Sequence, residues 1–123
     1  MAYITDRKRV TGLGSARGGT AQHWTMTVTS VALLILTPFF LAVIGTSLGG
    51  DHADVVARLG RPIPALIVAA YLVVGMHHMR FGVQVLIEDY VQGMTRKFLV
   101  IATTILSYGI AAGGLVALMQ IAF

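Results

Sequence analysis

The sequence predicts an all-α integral membrane protein with three transmembrane helices, and three observations carry that prediction. Hydrophobic residues make up 56% of the 123 positions and charged residues 11%, whereas a soluble domain carries roughly 25% charged residues. The mean hydropathy is +0.80. The formal charges fall in a few short clusters, Asp6 to Arg17, Asp51 to Arg61, Glu88 and Asp89, and Arg96 with Lys97, leaving Arg80 by itself. Between the clusters lie stretches long enough for helices of roughly 20 apolar residues. A chain of this length has room for no more than three or four such helices with their connections. The absence of cysteine excludes a disulfide framework and iron–sulfur ligation by this chain.

A single membrane domain, residues 1–123, therefore divides into a tail at 1–22 and spans at about 24–49, 63–89 and 97–122. The tail carries basic residues and glycines before the apolar run. It lacks the order of a cleavable secretory signal, so the first span is expected to be retained as an anchor. Its glycines suggest an extended segment lying along a partner, and its GLGSARGG run lacks the Gly-Lys-Ser/Thr ending of a phosphate loop.

In the first span, Pro38 removes one backbone hydrogen bond and is expected to bend the helix. In the third, Gly109, Gly113 and Gly114 offer places for a close backbone approach. Basic residues near the span ends set the topology. Arg7, Lys8, Arg9, Arg17, Arg96 and Lys97 lie on one side, against Arg58 and Arg61 on the other. This six-to-two bias places the N-terminus in the cytoplasm and the C-terminus outside.

The middle span differs from the others because it carries His77, His78, Arg80 and Gln84 within apolar sequence. Polar side chains at that depth are costly and usually face protein or a cavity. At 100° per residue, His78, Gly82, Val85 and Asp89 share one stripe, His77 points about 100° away, and Arg80 lies nearly opposite His78. An imidazole with a glycine one turn away leaves a flat surface suited to axial ligation of a haem iron. The structural alternatives are a histidine bonded to a neighbouring helix and, at Glu88-Asp89-Tyr90, a solvated helix end with an interfacial tyrosine. Arg80 is placed to snorkel, or to meet an acidic lipid or a partner's carboxylate.

The segment from His78 to Tyr90 reads HMRFGVQVLIEDY. It resembles the second-helix signature of the D subunit, the smaller membrane anchor, of succinate dehydrogenase (complex II), in which His is followed after three residues by Gly and after six more by Asp-Tyr. His23-Trp24 and the block Val28-Thr29-Ser30-Val31-Ala32 look like alphaproteobacterial members of that family.

The resemblance implies a three-span subunit of a respiratory, tricarboxylic-acid-cycle enzyme that oxidises succinate and reduces ubiquinone. The chain would be non-catalytic alone and bundled with a partner anchor. It implies His78 as one axial ligand of haem b, and hence as the chain's iron ligand. Gly82 would pack on the haem, Tyr90 would bond a ubiquinone carbonyl, and Asp89 would serve the quinone site and proton relay. The second haem ligand would come from the C subunit, the cytochrome b-type anchor, and the other partners would be the flavoprotein and iron–sulfur subunits.

A multi-pass position in a bacterial inner membrane follows, surrounded by lipid and with no nucleic acid partner. One position departs from the pattern: Thr27 stands where many members have an arginine, which leaves His23, Arg17 or a partner to compensate charge. Trp24 would serve an interfacial aromatic belt or line the quinone cavity. The alternatives left open are a small proton-coupled transporter subunit and a structural anchor that binds no haem.

Overall fold

A computed structural model describes residues 4–12 and 19–122. Arg17 and most of the GLGSARGG run lie outside the described residues. The architecture is all-helical, in the order α1 (Asp6–Thr11), α2 (Gly19–Gly45), α3 (His52–Leu59), α4 (Pro62–Tyr90) and α5 (Gly93–Ala122). Three of these, α2, α4 and α5, are long and apolar enough to cross a membrane.

The tail contains a short helix where its glycines suggested extended chain, and capping explains the difference. Thr5 accepts a hydrogen bond from the Lys8 amide at 3.3 Å, Asp6 lies in the first turn, and Lys8 and Arg9 lie in the last. These charges complement the helix dipole. Gly12, at φ 53°, closes the helix by donating its N–H to the Lys8 carbonyl.

Helix α2 has 27 residues and so measures about 40 Å at a rise of roughly 1.5 Å per residue. It runs unbroken past Pro38. Its hydroxyls are compatible with lipid because they bond within the helix. Thr25, Thr27, Ser30 and Thr37 each donate to the carbonyl four residues earlier, at 2.6 to 3.0 Å.

Helix α3 was not foreseen. Val55, Val56 and Leu59 are half-buried while His52, Asp54 and Arg58 are exposed, so this part of the first connection is amphipathic. Packed against both α4 and α5, it lies over the end where α4 begins and α5 ends. Gly60 permits the approach, since a Cβ there would sit only 3.1 Å from the Val56 carbonyl oxygen and 3.2 Å from that of Ile121.

Helix α4 opens with Pro62, whose missing N–H is not needed in a first turn. Its 29 residues give about 43 Å, more than the roughly 30 Å of a hydrocarbon core. The turn into α5 depends on Gly93 at φ 70°, a conformation that glycine adopts without a Cβ penalty. Helix α5 thus begins before Arg96 and Lys97, which occupy its exposed opening turns.

The packing is a row. Helix α4 is in the middle and contacts both α2 and α5, which do not meet each other among the described residues. Phe40 of α2 stacks on Tyr71 of α4 with ring centres 4.0 Å apart. Among the described residues only Ile87, Ser107 and Ala111 are buried. Lipid or other subunits must therefore cover most of the apolar surface.

Candidate functional site on the middle helix

Helix α4 presents its polar residues to both neighbours. Toward α2, the His78 Nδ1 lies 2.9 Å from the Thr29 hydroxyl. That hydroxyl is also 2.8 Å from the Thr25 carbonyl oxygen and 3.1 Å from that of Met26. A threonine hydroxyl has one proton. With that proton directed to a carbonyl, as the 2.8 Å oxygen–oxygen distance requires, the oxygen accepts from His78 Nδ1–H. In the neutral imidazole, Nε2 then keeps a free lone pair. Nε2 makes no hydrogen bond among the described residues, and the ring is half-buried.

One turn further along, a Cβ added to Gly82 would meet only the Met26 Cε, at 3.9 Å. The stripe continues through the exposed Val85 to the exposed Asp89. An imidazole nitrogen with a lone pair, one turn from a glycine whose nearest side-chain neighbour is the Met26 methyl, fits axial ligation of a planar iron macrocycle. Among the described residues there is no cluster of three or more metal-ligating side chains.

Toward α5 the polar residues form a separate system. His77 Nδ1 shares a hydrogen bond of 3.1 Å with the Tyr108 hydroxyl, and the His77 ring meets Phe81 edge-on. Arg80 Nε donates to the Thr104 hydroxyl at 3.2 Å, while the guanidinium carbon lies 4.4 Å from the centre of the Phe81 ring. Thr104 in turn donates to the Val100 carbonyl at 2.7 Å. Gln84 Nε2 donates to Glu88 Oε1 at 2.8 Å, whereas Gln84 Oε1 is buried without a partner among the described residues. The two adjacent histidines thus serve different helices.

At the end of α4, Glu88, Asp89 and Tyr90 are all exposed, Tyr90 by 82%. Neither Asp89 nor Tyr90 has a hydrogen-bonding partner among the described residues. The described residues leave the Tyr90 ring open. Trp24 is 67% exposed on α2, and His23 and Thr27 are exposed near it.

Thr29 stands in the block that resembles the family but carries no role there, and the contacts of Thr104 and Tyr108 are not legible in the sequence. The available signal was a hydroxyl on each flanking helix able to face a polar group on α4. Which hydroxyl meets which group depends on helix register.

Residues 1–112 match the family model described as "Succinate dehydrogenase/Fumarate reductase transmembrane subunit". A succinate dehydrogenase hydrophobic membrane anchor subunit from Paracoccus denitrificans is 45% identical over 120 residues, covering 98% of this chain and 93% of that protein. One from Rickettsia bellii (strain RML369-C) is 28% identical over 96 residues, covering 76% of each chain. No solved structure matches the chain. With three apolar helices, and with the family model spanning the tail, α4 and most of α5, the chain belongs to the transmembrane subunits of succinate dehydrogenase and fumarate reductase.

Proposed function

We propose that this chain, a multi-pass membrane anchor subunit of succinate dehydrogenase, contributes one axial ligand to haem b and one wall of the ubiquinone-reducing site. Its anchor role implies a flavoprotein and an iron–sulfur partner. A second anchor, the C subunit, supplies the other haem ligand and covers part of the open helix row. The basic residues favour an N-terminus in the cytoplasm, which puts Tyr90 at the cytoplasmic face of the bacterial inner membrane.

The observation that carries the reading is His78 Nδ1 engaged by Thr29 at 2.9 Å while Nε2 has no partner among the described residues. Gly82 lies one turn from His78 and adds no side chain there. When bound, haem b would supply a one-electron store. The protein residues hold and orient. His78 presents Nε2, Gly82 leaves space, and Thr29 fixes the ring.

One residue past the end of the stripe, about 18 Å from His78 along the axis at the helical rise, the Tyr90 hydroxyl donates to a quinone carbonyl oxygen. Two-electron reduction of a quinone consumes two protons, and the exposed carboxyls of Asp89 and Glu88 connect the site to water.

The test is a visible redox spectrum of the complex purified through this subunit. The wild type is expected to show a low-spin b-type spectrum that His78→Ala abolishes. An assembled His78→Ala complex with an unchanged spectrum would sink the ligation. A wild-type complex with no haem would leave a purely structural anchor.

A further inference from the structure

We infer that Thr29 is the positioning residue for His78, setting both the tautomer and the donor strength of the imidazole. The inference rests on the proposal that His78 is a haem ligand. It adds a residue on a different helix, 49 positions away in the chain.

Three hydrogen-bonding groups stand in a line. His78 Nδ1 is 2.9 Å from Thr29 Oγ1, which is 2.8 Å from the Thr25 carbonyl oxygen. Were Thr29 to donate to Nδ1, two acceptor oxygens would face each other across 2.8 Å with no proton between them. The arrangement is satisfied only as Nδ1–H to Oγ1 and Oγ1–H to the carbonyl, each bond polarising the next. In the neutral ring, a proton on Nδ1 leaves the lone pair on Nε2, the nitrogen without a hydrogen-bond partner among the described residues.

A hydrogen bond to the non-ligating N–H also makes a ligating imidazole more basic and fixes its plane. A threonine hydroxyl that has given its proton to its own helix does this without a charged carboxylate in the membrane, where such a charge is costly. The residue type is therefore informative. Valine at position 29 would preserve shape but provide no acceptor, and serine would keep the acceptor without the methyl group.

Thr29 also joins α2 to α4, so the test needs readouts that packing alone does not move. The intact complex is purified with Thr29→Val, Thr29→Ser and His78→Ala, and haem content, low-spin electron paramagnetic resonance and haem midpoint potential are measured. Thr29→Val is expected to raise the midpoint potential and shift the resonance, because a weaker imidazole donor favours the reduced iron. Thr29→Ser is expected to return both toward the wild type. Loss of haem in the valine variant with retention in the serine variant supports the same role.

A valine variant with full haem, unchanged potential and unchanged resonance overturns the inference. So does a serine variant as altered as the valine variant, since the methyl group rather than the hydroxyl would then matter. Retention of the b-type spectrum in His78→Ala overturns the underlying ligation, and that outcome is separate from the Thr29 results.

Discussion

Leu72 of α4 occupies the space that a side chain on Gly114 of α5 would need: a Cβ built there collides with Leu72 Cδ2. The glycine is what lets these two spans approach at this level. In lipid, where apolar burial gives little drive to helix association, such close packing carries the contact. Gly114→Ala should therefore push the flexible end of Leu72 into a less favourable rotamer, at a cost of about 0.5–1.5 kcal/mol. It should appear as a lower thermal midpoint for the detergent-solubilised complex. A Cβ added to Gly113 or Gly109 would meet nothing within 4 Å among the described residues, so an equal loss in Gly113→Ala would report a partner helix on that face.

Arg80 gives a second packing prediction. Its Nε donates to Thr104, whose own proton goes to Val100. This repeats the logic of His78 and Thr29 on the opposite side of α4. Thr104→Val leaves a charged donor with no acceptor at that atom, a loss of about 1.5–3 kcal/mol for a hydrogen bond to a charged group. Thr104→Ser should restore most of it. Differential stability of the two variants is the measurement, and equal stability would show that the contact contributes little.

The two adjacent histidines should separate cleanly. His77 bonds Tyr108 on α5, while His78 bonds Thr29 on α2. His77→Ala should lower stability by roughly 0.5–1.5 kcal/mol, the net worth of a hydrogen bond, and leave the b-type spectrum unchanged. His78→Ala should abolish the spectrum. If His77→Ala removes the haem signal instead, the assignment of faces on α4 is wrong.

The three spans were legible because apolar runs between charge clusters need no tertiary information. The row itself was not, since three long apolar helices pack in several ways and the sequence does not say that α4 separates α2 from α5. Helix α3 was read as mere connection because eight residues with exposed charges resemble a loop more than an apolar segment. The helix at Asp6–Thr11 was obscured by the glycines around it, although its Thr5 cap and its charge order are visible in retrospect. On the candidate site, rotation along α4 was enough to divide His77 from His78. Their partners Tyr108 and Thr29 required the register of two neighbouring helices, which spacing within one helix does not contain.

Tyr90 gives the last prediction, and it concerns the quinone end. The side chain is 82% exposed in this chain, so little internal stability is lost when its hydroxyl is removed. Tyr90→Phe keeps the ring and deletes one donor. If that donor bonds a quinone carbonyl, its loss should weaken quinone reduction on the order of tenfold, the upper end of a single hydrogen bond of about 1.5 kcal/mol. Succinate oxidation measured with an artificial acceptor should remain near the wild-type rate, because the soluble subunits do not depend on that hydroxyl. Haem content should also hold, since Tyr90 is about 18 Å along α4 from His78 at the helical rise. Equal loss of both activities would trace the effect to assembly, and unimpaired quinone reduction would remove Tyr90 from the site.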